Sequence, residues 1–302
     1  MDTDNLRLFV LAAEKLNISA AGRALGYAPA VAGARLAKLE RSLSADLLIR
    51  STRKVSLSTE GAEFLPFARE ILAQEDSARA AMGLGQSDPS GTLRFAAPSS
   101  FAQRYIVPIL PDFLALYPGI NLDLRLSDTR FDLIEGSYDL ALRNTELENS
   151  SLRGRKLADD RRCLCASPAY LNRYGVPKEP EDLANHQLIA FVDHTPRRLR
   201  RADGTQASFD PREGQCRLTL NDGLSQKLAT LAGAGISVNS EWSVHQDLQD
   251  GSLVHVLPDY EVDDQSVLWL VYPRSNVLTA KVRVFIDFLL DRIGRKPPWS
   301  LT

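Results

Sequence analysis

The chain is poor in the residues from which stapled, metallated or catalytic proteins are built. It has three cysteines in 302 residues. Cys163, Cys165 and Cys216 form an odd set without metal-ligand spacing, so a reducing cytoplasm is the simpler home. Cys163 and Cys165, two apart in the strand-like run RRCLCA, point to one face and read better as buried thiols than as a redox switch. The histidines His186, His194, His245 and His255 lie far apart, which leaves metal binding without a ligand set. No G-x-S-x-G, P-loop or paired-carboxylate arrangement occurs, so the chain reads as a non-enzyme without cofactor or metal. Long apolar runs are missing too. None approaches the ~18 residues of a membrane span, and the acidic start MDTDNLRLFVLAAEKL carries no cleavable signal, so neither membrane contact nor export is expected.

There is also no excess of one charge: 36 Lys/Arg stand against 38 Asp/Glu, a net charge of −2. That near-balance hides an asymmetry, because residues 1–60 hold nine Lys/Arg against six Asp/Glu and the remainder is negative. A positive front segment suits a nucleic-acid partner better than the total suggests. With 44% hydrophobic residues, a chain of this length can bury the cores of more than one domain.

What the sequence does contain is organised around Asn17 to Gly61. Leu25-Gly26-Tyr27-Ala28-Pro29 ends one helix and starts another: Gly26 accepts the left-handed conformation, and Pro29 suits a first helical position, where a missing N–H costs nothing. Before the turn, Ala20, Ala21 and Ala24 make a thin helix, with Ser19 as its N-cap. After it, Ala32, Leu36, Leu39 and Leu43 recur at helical spacing and face inward. The opposite face carries Ala30, Gly33, Ala34, Ala37, Lys38 and Arg41, with Arg35 at the side. A mid-helix glycine costs roughly 1 kcal/mol against alanine, so Gly33 calls for a reason. A bare face that lets the helix backbone sink into the major groove supplies one: alanine methyls touch thymine methyls, Arg35 offers the best base contact, and DNA shape carries part of the specificity. Next come two β-like runs, Leu47 to Arg50 and Val55 to Leu57, bracketing Ser51-Thr52-Arg53-Lys54. Arg50, Thr52, Arg53 and Lys54 suit phosphates along a groove edge, although such a charge run standing alone is usually a solvated turn. The layout is that of a winged helix-turn-helix.

Ahead of it, a helix from Asn5 to Leu16 presents Leu6, Phe9, Val10, Ala13 and Leu16 inward. Behind it, Ser58 or Thr59 caps a long helix running to about Leu84, with Pro66 expected to kink it near Ala62. Its apolar members Ala62, Leu65, Ile71, Leu72, Ala78 and Met82 exceed what so small a domain can cover. Gly85 to Gly91 reads as a linker. Strands then alternate with helices: LRFAAP, a helix from about Phe101 to Tyr117, INLDLRLS, a short helix at FDLIEG, and DLALR, with SVLWLVYP and a helix Thr279 to Ile293 at the far end. This is α/β grammar with a largely parallel sheet.

The runs ALGYAPAVAGARLAKLE, LLIRSTRKVSLSTEG and FLPFAREIL resemble the N-terminal third of the LysR-type transcriptional regulators. The resemblance continues through Pro108 to Leu124, Asp139 to Arg143, Asn221 to Gly223, Leu231 to Ile236 and Leu248 to Tyr260, so it spans the chain. The family often has serine where this chain has Ala28 and Gly33, and contacts made by those serines do not carry over; Ala28 is a weak N-cap. The resemblance implies a winged helix-turn-helix at 1–58, a linker and dimerisation helix with hinge at 59–90, and a two-lobed periplasmic-binding-protein-like effector domain at 91–302. Lobe I would take about 91–166 and 259–302, and lobe II about 167–258. It further implies dimers paired through the long helix, tetramers through the α/β lobes, and an inverted-repeat DNA operator. The candidate DNA-binding set is therefore Ser19, Ala28, Pro29, Ala30, Gly33, Ala34, Arg35, Lys38, Arg50, Thr52, Arg53 and Lys54.

In open α/β sheets ligands sit beyond the carboxyl ends of strands. Ser99 and Ser100 follow the first strand and head a helix, Arg143 ends another strand with Thr145 after it, Phe191 ends LIAF, and Asn221 and Asp222 precede a helix. Together they outline a pocket for a small anionic effector. Ordinary readings compete: the serines as helix caps, Arg143 bridging to Asp139, and Phe191 as core. Arg197, Arg198, Arg200 and Arg201, before the Asp203-Gly204 turn, read as a solvated loop ahead of a second DNA contact. A small molecule between the lobes would reposition the DNA-binding heads. The competing class is a solute-binding module without a transcriptional role, for which the α/β part alone would suffice.

Overall fold

The structure, a computed structural model, describes residues 2–50, 55–81, 89–128, 138–144, 152–192, 196–212, 214–263, 266–273 and 278–300, with the side chains at 50, 73, 76, 77 and 79–81 left out. The chain divides into two units, one comprising Met1–Asp88 and Arg274–Arg283, the other Pro89–Pro273 and Val284–Thr302.

The first unit begins with α1 (Thr3–Lys15), capped by the Asp2 carboxylate accepting from the Asp4 N–H. Its core face is Leu6, Leu8, Phe9 and Ala12, while Leu16 leaves the helix in the left-handed region at φ 48° and stays exposed. The helix-turn-helix follows as α2 (Ile18–Ala24) and α3 (Pro29–Leu43). Asn17, not Ser19, caps α2: its side-chain oxygen accepts from the Ala20 N–H at 2.9 Å, and Ser19 lies within the first turn. The expectation placed the helix start two residues late, because asparagine satisfies an N-terminal N–H as well as serine does. Gly26 takes φ 74° and Pro29 starts α3, as expected; Ala28 makes no side-chain cap. A Cβ on Gly22 would lie 2.7 Å from the Ala32 Cβ, so the close crossing of α2 and α3 depends on a glycine as well as on the small alanines.

Strands β1 (Leu48–Arg50) and β2 (Val55–Leu57) pair antiparallel, Leu48 opposite Leu57. Ser58 then caps α4 (Thr59–Ala81), accepting from the Gly61 N–H at 2.8 Å while its hydroxyl donates to the Asp46 carbonyl. The helix continues through Pro66. Leu65, Ala68 and Leu72 are buried in the same core as Leu6, Phe9 and Leu36. Ion pairs Arg7–Glu75 at 3.0 Å and Arg69–Glu14 at 3.3 Å tie α4 to α1. Leu65 and Leu72 thus find cover within the domain, whereas Phe67, absent from the expected stripe, is 61% exposed; Met82 lies outside the described residues.

The second unit carries a five-stranded sheet in the order β4 (Ile120–Leu126), β3 (Gly91–Ala97), β5 (Leu140–Arg143), β15 (Val267–Pro273) and β6 (Leu152–Asp159). Strand β3 (Gly91–Ala97) is parallel to β4 (Ile120–Leu126) and to β5 (Leu140–Arg143). Between β3 and β4 the chain is helical from α5 (Ser99–Phe101) to α6 (Leu110–Leu116), but by way of a π turn at Ala102–Ile106 and a 3-10 turn at Val107–Ile109. Pro108 and Pro111 have no N–H to give to the preceding turn, which breaks the regular α ladder expected there. The segment FDLIEG lies outside the described residues.

After β6 (Leu152–Asp159) the chain enters a second group of elements: β7 (Arg162–Ala166), α7 (Pro168–Tyr174), β8 (Gln187–Phe191), β9 (Arg197–Arg201), β10 (Gln206–Phe209), β11 (Gln215–Leu220), α8 (Gly223–Leu231), β12 (Ser237–Ser240), α9 (Glu241–Gln249), β13 (Val254–His255) and β14 (Tyr260–Val262). It returns through β15 (Val267–Pro273), antiparallel to β5 and β6, and ends in α10 (Ala280–Leu289) and short turns. Because β7 pairs with β12 and β13, and β14 with β9, both strands belong to lobe II. The lobe boundaries of about 166 and 259 read from the sequence were therefore misplaced by one strand each. The crossings lie where the Asp160 N–H donates to the Ser266 carbonyl at 2.9 Å. The arginine run 197–201 is likewise no loop but a central strand, with Leu199 fully buried beneath it and Arg200 3.8 Å from Asp263.

Phe95, Phe113 and Phe285 pack edge to face at 5.1 and 4.7 Å at the centre of the lobe I core. Lobe II is built on Leu164, Leu188, Leu199, Phe209 and Ile236. Burying each such side chain stabilises by roughly 1.5–3 kcal/mol, so the two cores support two separate lobes.

Candidate nucleic-acid interface and effector cleft

Helix α3 divides along its length as its spacing predicted. Ala32, Leu36 and Leu39 are buried, while Ala30, Ala34, Lys38 and Arg41 are exposed and Gly33 is half-buried. Nothing lies within 4 Å of a Cβ built on Gly33, so no packing neighbour inside the protein requires the glycine. Val31, 46% exposed beside Ala34 and Lys38, belongs to the same surface. Its signal was available as a β-branched apolar residue outside the inward stripe, and it was missed. Pro29 and Ala28 are exposed at the entry to the helix, and Ser19 is half-buried in α2.

Arg35 is held differently from the expectation. Its Nη1 donates to Asn5 Oδ1 at 3.0 Å, its guanidinium lies 4.5 Å from the centre of the Tyr27 ring, and Asp2 and Asp4 are 3.8 and 4.0 Å away. The guanidinium thus pins α3 to the start of α1 through one hydrogen bond, two nearby carboxylates and stacking on Tyr27, a combination to which arginine is suited. Lys38 and Arg41 remain directed away from the core as exposed cations. In the wing, β1 ends on Arg50, whose side chain is not described, and Thr52, Arg53 and Lys54 lie outside the described residues.

In the second unit the carboxyl ends of β3, β4 and β5 bring functional groups to one edge of the sheet. Ser99 opens the helix after β3, and its N–H donates to Asp128 Oδ1 just past β4. The other oxygen of Asp128 accepts from the Gly223 N–H at 3.0 Å, at the first position of α8 in lobe II. One carboxylate therefore joins two helix starts, where N–H groups have no intrahelical partner and the helix dipole favours negative charge. Ser100 Oγ faces Gly223, 3.1 Å from where a Cβ on that glycine would be. Asp222 caps α8, accepting from the Leu224 and Ser225 N–H groups at 3.0 Å each. Asn221 is exposed beside it, and Phe191 is half-buried at the end of β8. Arg143 ends β5 opposite Trp269, while the Asp139 carboxylate accepts from the Arg94 N–H at 2.8 Å. Thr145 lies outside the described residues. Asp128 was missed by sequence reasoning, although the rule that found Ser99 at the end of β3 applies equally to the end of β4.

Further contacts join the lobes. Arg104 donates to the Ser243 carbonyl at 3.2 Å and to Gln246 Oε1 at 2.7 Å, and the Tyr105 hydroxyl donates to the Trp242 carbonyl at 2.6 Å. Burial pushes the Tyr105 phenol up, with Arg104 opposing. A separate open cleft of about 1090 Å³ lies along β6 and the C-terminal turns. Its cations are matched by acids, as in Arg155–Asp287 at 3.0 Å and Arg295–Asp291 at 2.8 Å. The Cys163 thiol is pushed far up by its hydrogen bond to Cys165 and by burial, which disfavours a reactive thiolate there. Among the described residues no group of His, Cys, Asp or Glu is arranged to hold a metal ion, and no helix is long and apolar enough to cross a membrane.

The comparisons with known proteins agree with this arrangement. The family model described as the bacterial regulatory helix-turn-helix protein, lysR family, matches residues 3–62, and the LysR substrate binding domain matches residues 86–294. The HTH-type transcriptional regulator CrgA of Neisseria meningitidis serogroup C is 32% identical over 293 residues, covering 97% of each chain. An HTH-type transcriptional regulator of Xanthomonas campestris pv. campestris is 33% identical, covering 97% of this chain and 86% of its own. Among solved structures, full-length AphB, a virulence activator of Vibrio cholerae, superposes with a TM-score of 0.60 at 28% identity, covering 97% of this chain and all of that one. Two helices about a glycine turn, a wing and a two-lobed α/β domain thus come with end-to-end similarity, and the chain belongs to the LysR family as a DNA-binding transcriptional regulator, a non-enzymatic protein with an effector-binding domain.

Proposed function

We propose that this regulator responds to a small anionic effector bound between its lobes, at the starts of the helices that follow β3 and β11. The observation that carries this reading is the pair of N–H groups of Ser99 and Gly223, one from each lobe, converging on a single carboxylate. A carboxylate or phosphate from solution has the same acceptor geometry and charge. Ser100 adds a hydroxyl and Arg143 lies at the neighbouring strand end, with Phe191 and Asn221 at the rim and Thr145 following Arg143 in sequence. Differential binding of the effector to two lobe arrangements would alter DNA binding by mass action.

The α3 surface of Ala30, Val31, Gly33, Ala34, Lys38 and Arg41 reads as the groove-facing side, with Arg50, Thr52, Arg53 and Lys54 of the wing on flanking phosphates. Arg35 takes the role of a positioning residue for α3. Domain boundaries near 58 and 90 fit this division of labour. Exposed Phe67 on α4 supports pairing through that helix. Exposed Val107, Leu114 and Leu116 in lobe I, with Leu224 and Leu228 on α8, support further pairing of effector domains into a tetramer. Two-fold pairing implies an inverted-repeat operator, and the role implies a cytoplasmic location. The test is a thermal-shift screen of small carboxylates and phosphates followed by operator binding with each hit. A ligand at ~100 times its Kd stabilises by about 2.7 kcal/mol. Hits confined to neutral or cationic compounds would overturn the anionic assignment.

A further inference from the structure

We propose that Asp128 is an internal latch on the effector cleft, a carboxylate of the protein's own that holds the two lobes together and must leave before an effector can take the same N–H groups; this rests on the reading of that cleft as the effector's. Asp128 is separated from Ser99 by 29 residues and from Gly223 by 95, yet its two oxygens accept from both. Both donors are first-position helix N–H groups, which no carbonyl of their own helix can satisfy. Asp222, the cap of α8, is occupied with Leu224 and Ser225, so it leaves the Gly223 N–H to Asp128. Ser100 Oγ lies 3.1 Å from where a Cβ on Gly223 would be, so the lobes meet at this point and a side chain at 223 would require Ser100 to give way.

The consequence is competition. The two N–H groups cannot serve Asp128 and an incoming anion together, and the like charges repel. Effector binding is therefore an exchange: the Asp128 carboxylate swings out as the effector enters. Its apparent affinity is lowered by the population in which the latch is closed, and its entry transmits a change to the strand end that carries Asp128. Among the described residues Arg104 and Tyr105 also bridge the lobes, donating to carbonyl and amide oxygens of α9, and the Phe101 and Tyr105 rings pack on Trp242; no carboxylate takes part in these contacts. They are suited to act as the fixed side about which the latch side opens.

The experiment uses the full-length chain with no effector. Residue-resolved hydrogen exchange is measured at Ser99 and Gly223 for wild type, Asp128→Asn and Asp128→Ala, with the fold checked by the exchange of β3 and β15. Removing the charged acceptor is expected to speed exchange at both amides by about tenfold or more, with Asn intermediate because its amide oxygen still accepts one bond. Unchanged exchange at Gly223 in both variants overturns the latch. Should Asp128→Ala not fold, Asp128→Asn decides alone: faster exchange at Gly223 supports the latch and a wild-type rate there overturns it. Titrating acetate into Asp128→Ala then addresses the anionic-effector reading separately. Restored protection supports it; faster exchange without restoration leaves the latch standing and removes the anionic assignment.

Discussion

Two helix-borne glycines of the first unit look alike in sequence and stand in opposite surroundings, which makes them a sharp test of the DNA-facing assignment. At Gly61 a Cβ would lie 1.9 Å from the Leu47 carbonyl oxygen, whereas at Gly33 nothing lies within 4 Å. Gly33→Ala in the free protein therefore gains helix propensity of roughly 1 kcal/mol without a clash. If the α3 amides exchange through local opening, their exchange slows about fivefold. On DNA the added methyl enters a surface that has to fit the groove. Overpacking of about 1–3 kcal/mol there weakens operator binding by roughly 5- to 150-fold. The assay pairs hydrogen exchange on the free chain with fluorescence anisotropy on its own upstream region. Slower exchange with unchanged affinity would refute the placement of Gly33 against DNA. Faster exchange would refute the structural premise itself. Gly61→Ala is the control: it must push α4 away from β1, so both stability and binding fall.

Other outcomes follow from the same structure. Ala28→Ser supplies the side-chain cap that α3 lacks and should stabilise it by about 1 kcal/mol, read in denaturant unfolding; no gain would mean the α3 start is not the one described. Phe67→Asp, at a position 61% exposed, should leave the monomer fold intact and shift sedimentation toward smaller species, whereas an unchanged assembly excludes this face from the pairing surface. Burial lowers the pKa of His186 and His245 below the ordinary value of 6.5. The unfolded chain then binds protons first, so their contribution to stability is full above about pH 6.5 and declines as pH falls below it. His186→Phe would flatten that decline; an equally steep curve would assign it to other groups.

Much of this is legible in the sequence because helical period and turn chemistry are local. Gly26, Pro29, Ala32, Leu36 and Leu39 each announce a conformation or a burial that no distant residue overrides. Of the misreadings one is local: Ser19 reads as the cap of the helix that Asn17 caps, because both residue types serve. The others involve partners far away in sequence. Arg35 carries the same charge whether it faces a base or Asn5, and only the position of α1 decides. The run Arg197–Arg201 hides one buried leucine among four arginines, a pattern weaker than its charge. Asp128 acquires its role from Gly223, which the sequence separates by most of a lobe. Lobe boundaries slipped by a strand at each crossing because β7 and β14 pair with strands more distant in the chain.

Binding of the full-length protein to its own upstream DNA, followed across a range of salt, decides whether the first unit docks on a duplex. A protein that seats Lys38, Arg41 and the wing cations on phosphates releases counterions on binding. Two paired heads making two phosphate contacts each give a log–log slope of about −3.6. The expected slope is at least that steep, together with a preference for an inverted repeat over scrambled sequence. Binding indifferent to salt, or absent at low ionic strength from every upstream fragment, would contradict it.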